Sequence, residues 1–280
     1  MTTADQDNAL LPTEDLILAL FCRVDDALEG RALNRKHSQA KLAPSEVVTL
    51  ALLFALKGVG QRAFYRWLLR DWRGLFPGLP ERTRLFRLFN SHHTLTEAFL
   101  AEPSALGVID TYVDRNGPFE LIHPRREGRS EAQIGKKGIS NQRWIVGGKL
   151  CFLLNHLGLV VGWDCSTANA YDGSTFQHVV EAVEEAMVVF ADTGFAKRDW
   201  APANLRVCER GEWNVRMVVE TALSMLTTVC HFKRVSHRAW RYFRARLAYT
   251  MALFNVLVSW HGLEPDEAGF VPLSIAEFSL

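Results

Sequence analysis

The strongest constraint on the fold is a change in hydrophobic period near residue 105. Before it, apolar residues recur three or four positions apart, as on one face of a helix; after it, they alternate in short runs. The segment "PSEVVTLALLFALKG" starts with Pro44 and ends at Gly58, which are typical helix boundaries. The pattern therefore predicts an all-helical N-terminal region followed by an α/β region.

The helical region includes two candidate helices joined by a short glycine-containing turn. The second, "QRAFYRWLLRDW", carries an apolar stripe that includes Phe64 and Leu68, with arginines on its other side. A helix pair of this kind is compatible with a helix-turn-helix DNA reader and equally with a plain helical hairpin. The pattern alone leaves both interpretations open.

Beyond residue 105, several short segments predict a mixed sheet. In chain order, strands are expected in "ALGVIDTYVD", in "GKLCFLLNHLGLVVGWDCS" (two strands around a turn at 155–158), in "MVVFAD" and in "NLRVCE". Helices are expected in "STFQHVVEAVEEA", after the third strand, and in "GEWNVRMVVETALSML", after the last. This order is typical of an α/β domain with a mixed sheet.

Charge is distributed unevenly along the 280 residues, although the formal net charge is only +1. Residues 1–30 sum to −6 and residues 264–280 to −4, so the intervening segment carries about +11. No acid lies between Glu220 and Glu264, where six cations cluster, and a second basic stretch spans 125–149. Such stretches can be solvated faces, but two of them favour a polyanionic partner.

Other features bound the cellular context. No apolar run reaches ~18 residues without a charge, so no membrane-spanning segment is expected. The acidic start is unlike a signal peptide. The five cysteines are odd in number and scattered, which favours reduced thiols over disulfides or a zinc site. We therefore expect a cytoplasmic protein without membrane contact.

Three carboxylates stand out in the α/β region. Asp110 lies inside an apolar strand, Asp192 ends another, and Glu220 belongs to a polar row on an otherwise apolar helix. Each has a structural explanation, such as a turn cap, a strand end, or an Arg216–Glu220 surface pair. Together they form a ligand set that suits Mg²⁺, and the basic stretches suit a phosphate-bearing substrate. The set predicts metal-dependent phosphodiester chemistry.

Four motifs occur in an order that carries a family resemblance. They are "VIDT", then "GKKG" with "WIVGGKLCFLLNHLGLVVGW", then "VFADTGF", and finally "WNVRMVVE". From about Leu42 to Trp260 the chain resembles the DDE transposases of bacterial insertion sequences, in particular their compact members. Trp213 stands where that family's last motif usually has tyrosine, and Thr227 stands where it has lysine.

The resemblance implies a ribonuclease-H-like fold, a mixed sheet with flanking helices, as the catalytic domain over residues 105–262. It implies a helical region over 1–104 that binds DNA ends or dimerises, with an acidic tail over 263–280. Asp110, Asp192 and Glu220 would be the catalytic residues and would ligate two Mg²⁺ (or Mn²⁺) ions.

The implied partner is double-stranded DNA, both the terminal inverted repeats of the element and its target, bound by a homo-oligomer associated with the nucleoid. The expected DNA-binding residues are Lys149, Trp213, Arg216, Lys233, Arg234, Arg238 and Arg241. Two other interpretations remain open. One is a catalytically decayed or repurposed DNA-binding derivative, which Thr227 favours; the other is a metal nuclease of the same fold without strand transfer.

Overall fold

The structure, a computed structural model, describes residues 12–112, 130, 132–134, 136–140, 143–171, 175–192, 195, 201–208, 216–233, 237, 239–263, 275, 278 and 280. Within them the helices are α1 (Thr13–Glu29), α2 (Pro44–Lys57), α3 (Gln61–Asp71), α4 (Arg82–His92), a 3₁₀ helix (His93–Phe99), α5 (Gln177–Glu181), α6 (Arg216–Thr228) and α7 (Trp240–His261). The strands are β1 (Leu106–Tyr112), β2 (Lys136–Ser140), β3 (Arg143–Asn155), β4 (Val160–Thr167), β5 (Val188–Ala191) and β6 (Leu205–Val207).

Helix α2 is the centre of the helical region. It begins at Pro44, and the Glu46 carboxylate accepts a hydrogen bond from the Ala43 N–H at 2.6 Å, so one amide of the first turn is satisfied. It ends at Gly58, whose φ of 60° is the left-handed conformation that glycine adopts most easily. Both predicted boundaries are confirmed. Residues 47–56 are buried, because other elements cover the helix on all sides.

Helix α3 leaves α2 at a steep angle. Residues 58–60 join the two helices, and the chain direction turns by 116° between them. Phe64 and Leu68 are buried while the arginines of α3 face solvent, as predicted. No single described helix is both long and apolar enough to cross a membrane, and α2 with α3 pass the same length and composition test only as a bent pair.

The sheet has six strands in the order β2-β3-β1-β5-β6, with β4 also pairing with β3. Strand β3 runs antiparallel to β1, β2 and β4, whereas β5 runs parallel to β1 and β6 parallel to β5. The predicted mixed sheet is therefore confirmed. Two details differ from expectation. Strand β2 lies in the basic stretch 125–149, where no strand was predicted. Helix α5 has only 5 residues of the predicted segment "STFQHVVEAVEEA", and the chain continues in turns over 182–186.

The two faces of the sheet belong to different apolar clusters. Side chains alternate along a strand, so Val108 and Phe152 point to one face and Ile109 to the other. The first face shares a single large core with helices α2, α6 and α7, and we call it the helical face. The opposite face packs on α5 and its neighbours through Phe176 and Val180.

Helix α7 connects the sheet to the N-terminal helices. It is buried from Ala245 to Val258 and contacts α2, α4, the 3₁₀ helix and β4. A buried amide strengthens this contact: Asn255 accepts the Val160 N–H at 2.8 Å and donates to the carbonyls of Val160 (2.7 Å) and Phe99 (3.0 Å). The expected division near residue 105 thus separates an all-helical segment from the segment that contains the sheet. One continuous core nevertheless spans both regions.

Candidate active site

Asp110 lies on β1, and Asp192 directly follows β5, the strand that runs parallel to β1. In the β1–β5 ladder, Leu106 faces Val188 and Val108 faces Phe190. Continued by two residues beyond these last paired positions, the same register would set Asp110 opposite Asp192. Neighbouring strands lie ~4.8 Å apart, so side chains on the same level and face are direct neighbours. The register therefore predicts that these two carboxylates lie beside each other at one end of the sheet.

Asp110 lies on the helical face of the sheet, and the side-chain alternation of β5, continued by one residue, would put Asp192 on the same face. Asp110 follows Val108 by two positions, and Val108 belongs to the large core. Helix α6 belongs to the same core through Val219, Ala222 and Leu226. Glu220, directly after Val219, lies on the side of α6 exposed to solvent. The expected polar row of α6 is observed at Glu220 and Ser224, which are both exposed.

The carboxylates are accessible. Asp110 is half-buried, and one of its oxygens accepts the Thr111 N–H at 2.7 Å. Asp192 is exposed at the end of β5, and Ala191 before it is anchored by a 3.0 Å hydrogen bond from the Cys208 N–H to its carbonyl. Paired carboxylate oxygens are donors of the type that Mg²⁺ or Mn²⁺ prefers, so Asp110 and Asp192 fit a hard cation.

No group of three or more His, Cys, Asp or Glu side chains arranged to hold a metal ion occurs within the described part of the chain. The convergence of Glu220 with the two aspartates therefore stays a prediction.

Lys149 lies away from the aspartates. On β3 it shares the parity of Cys151 and Leu153, so it points to the face opposite Asp110. Its side chain is 9% exposed, and its ammonium donates to the Ala170 carbonyl at 2.8 Å. This placement gives Lys149 a role in joining β3 to the turn after β4. Its expected contact with DNA is not tested by this geometry and stays a prediction.

The other expected DNA-binding residues are only partly described. Trp213, Arg234 and Arg238 lie outside the described residues, as does the side chain of Arg216. Lys233 is half-buried in the turn after α6. Arg241 is exposed in the first turn of α7, where its guanidinium lies 4.7 Å from the Tyr242 ring centroid.

Sequence reasoning grouped Arg246 with the basic surface, but the structure buries it. Its guanidinium donates to the Ala55 carbonyl at 3.1 Å, near the C-terminus of α2, and lies 5.0 Å from the Phe54 ring centroid. Burial lowers the pKa of Arg246 to about 10 and raises that of the neighbouring Cys230 thiol to about 12. The negative end of the α2 dipole compensates part of the cost of this buried charge.

Arg244, two residues before Arg246 on the helix, is also engaged within the chain. It forms an ion pair with Asp164 on the edge strand β4, and His178 of α5 lies 3.1 Å from the same carboxylate. Its guanidinium is 5.4 Å from the Trp163 ring centroid. Through Asp164 on β4, these contacts connect α7 on the helical face of the sheet with α5 on the opposite face. An isolated Asp in an otherwise apolar strand was the available signal for this role at position 164.

The structure thus defines a mixed α/β protein, with Asp110 on β1 and Asp192 directly after the parallel strand β5. The chain matches no protein-family model, and no curated protein matches it in sequence.

Proposed function

We propose that the protein is a transposase that cuts DNA at terminal inverted repeats and joins the ends to a target. The observation that carries this proposal is the parallel register of β1 and β5, which runs towards Asp110 and Asp192, in a sheet that packs against the helix bearing Glu220. A carboxylate pair at the carboxyl ends of parallel strands is a common position for a ligand site in an α/β sheet.

The strand order supports the ribonuclease-H-like expectation. Of the motif-bearing strands, β1, β3 and β4 form an antiparallel set, and β5 and β6 follow as strands parallel to β1. The motif "VIDT" on β1 contains Asp110, and the motif "VFADTGF", which begins on β5, contains Asp192.

In this proposal Asp110 and Asp192 hold a divalent ion, with Glu220 as a further ligand. Bound Mg²⁺ or Mn²⁺ lowers the pKa of water and stabilises charge on phosphate oxygens. The residues would hold this ion at a fixed place, since a carboxylate on a paired strand has little freedom to move. Exposure of Asp192 leaves room for a nucleic-acid backbone to approach.

The DNA surface that we propose is helix α3. A turn of 116° across three residues falls in the range of helix-turn-helix pairs, which is ~90–120°, whereas a helical hairpin reverses the chain almost completely. Arg62 and Arg66 are exposed on α3, and Arg70 is paired with Asp71 at 2.6 Å. The first two cations are therefore available to DNA, and α3 takes the position of the helix that enters the major groove.

The test uses duplexes carrying the DNA that flanks the gene, in Mg²⁺, with cleavage products resolved on a gel. Asp110→Asn and Glu220→Gln should each abolish strand cleavage while duplex affinity stays near that of wild type, because cations carry affinity. Glu184→Gln makes the same chemical change at an exposed carboxylate in the turns after α5 and should leave cleavage unchanged. Cleavage by Asp110→Asn at the wild-type rate would refute the proposed site.

A second candidate is a DNA-binding derivative without catalysis, and one observation favours it. The Thr227 hydroxyl donates a hydrogen bond to the Leu223 carbonyl at 2.7 Å. Threonine, unlike the lysine that the family has there, offers no positive charge to a DNA end. Under this alternative the wild-type chain binds the duplex but leaves it intact in Mg²⁺ and Mn²⁺. A nuclease without strand transfer would instead give cut products and no joined ones.

A further inference from the structure

The turn that follows α6 has an unusual backbone. His231 has a φ of 50°, a left-handed conformation that is uncommon for a residue with a side chain. The chain there is tightly bonded: the amides of Val229 and Cys230 both donate to the Met225 carbonyl, at 2.9 and 3.2 Å. Glycine would suit this conformation better, so the His231 side chain must have a use that offsets the backbone cost.

The His231 ring packs on Gly58, the residue that ends α2. A methyl group built on Gly58 would lie 2.8 Å from the ring Nε2 and still closer to Cγ and Cδ2. The ring therefore fits only because position 58 has no side chain. The end of α2 thus contacts the turn after α6 through Gly58 and His231, and both residues have a positive φ.

Neighbouring contacts make this junction rigid. Phe232, next to His231, is fully buried in the large core, and Cys230 is buried on its other side. Arg246 of α7 anchors the end of α2 through the Ala55 carbonyl, three residues before Gly58. A shift of the α2–α3 turn would therefore be transmitted to the end of α6 rather than absorbed locally.

We propose that His231 is a positioning residue for Glu220, acting through its contact with Gly58. Glu220 lies eight residues before the end of α6, ~12 Å along a rigid helix, so the placement of the helix end sets the placement of the carboxylate. Because Gly58 belongs to the turn before α3, DNA bound to α3 biases this placement. The inference rests on the proposed function, since it takes Glu220 as a metal ligand and α3 as the DNA helix.

The first test is His231→Gly in the full chain. This change removes the ring and relieves the left-handed backbone, so a residue with only a local role would leave function intact and the fold slightly more stable. Under our proposal, Mn²⁺ affinity, measured by calorimetry on the protein alone, falls roughly tenfold, and duplex cleavage falls by roughly tenfold to a hundredfold. Duplex affinity stays at the wild-type value.

The second test is the cycle of Gly58→Ala and His231→Gly. The single change Gly58→Ala forces the methyl into the ring and should lower both the unfolding midpoint in urea and Mn²⁺ affinity. Adding His231→Gly removes the overlap, so the double variant should regain much of the lost midpoint. Gly262→Ala is the control for positive φ without overlap, because Gly262 has a φ of 116° and no neighbour within 4 Å of an added methyl group. Its ψ of 147°, against 22° at Gly58, makes its backbone strain the larger of the two, so it bounds the strain contribution from above.

The outcomes separate the two proposals. The positioning role would be overturned if His231→Gly bound Mn²⁺ with wild-type affinity. It would also be overturned by additive changes of the urea midpoint in the cycle, or by a wild-type chain that binds no Mn²⁺. A wild-type chain that binds Mn²⁺ but never cleaves DNA would refute the transposase proposal, while Mn²⁺ affinity and the cycle still decide the role of His231.

Discussion

Acid should destabilise this protein through His237. The residue precedes α7, and its ring stacks on that of Tyr242 with 6.2 Å between centroids. Its Nδ1 is buried and has no hydrogen-bond partner in the described part of the chain. Burial, reinforced by the positive charge of Arg246, lowers the pKa of His237 to about 4 from an ordinary value of 6.5.

The sign and size of the effect follow from this lowered pKa. The folded state binds the proton less well than the unfolded state, so the stability that neutral His237 provides is complete above pH ~6.5 and is lost as the pH falls towards ~4. Full protonation corresponds to ~3 kcal/mol of unfolding free energy. Between about pH 7 and about pH 5 the expected loss is ~2 kcal/mol.

Urea unfolding of wild type and His237→Phe at these two pH values measures the effect. Phenylalanine keeps a ring against Tyr242 but cannot titrate, so the variant should lose ~2 kcal/mol less than wild type on acidification. His156→Phe, at an exposed position in the β3–β4 turn, should retain the wild-type pH dependence. Equal pH dependence of wild type and His237→Phe would refute the reasoning.

Three other substitutions test the packing of α7 and its charged surface. Asn255→Leu should cost ~2–4 kcal/mol in urea unfolding, because the Val160 N–H and Phe99 carbonyl lose their buried partner; a cost below ~1 kcal/mol would contradict this. Arg241→Ala should reduce the slope of log duplex affinity against log salt by ~0.9, whereas Arg244→Ala should leave it unchanged because that guanidinium is engaged by Asp164.

Element boundaries were the most predictable part of the fold, because local chemistry decides them. Pro44 and Gly58 bound α2 for reasons that need no tertiary contact, since one lacks an amide proton and the other a side chain. The end of β5 just before Asp192 was visible for the same reason, as an apolar run stops at a charge. Strand β2 was missed because its sequence, "KKGIS", is stabilised by pairing with β3 rather than by its own pattern.

The positions and contacts of side chains were harder to predict, because they depend on which elements pack together. Lys149 lies in a predicted strand, but the sequence does not show that its ammonium donates to the Ala170 carbonyl on the sheet face opposite Asp110. The convergence of Asp110 and Asp192 was likewise an expectation about two separate strands. The parallel register of β1 and β5 gives that expectation a geometric basis.

The burial of Arg246 changes how the charge of this chain should be interpreted. The basic segment 233–246 contains six cations, of which Lys233, Arg234, Arg238 and Arg241 are expected to bind DNA. The structure commits Arg246 to the end of α2 and Arg244 to Asp164, and it leaves Arg241 exposed at the start of α7. Under the proposed function, Arg244 and Arg246 therefore add little to the DNA surface, and the exposed arginines of α3 gain importance. Since α3 begins three residues after Gly58, the surface that carries this charge is also the one connected, through His231, to the helix that bears Glu220.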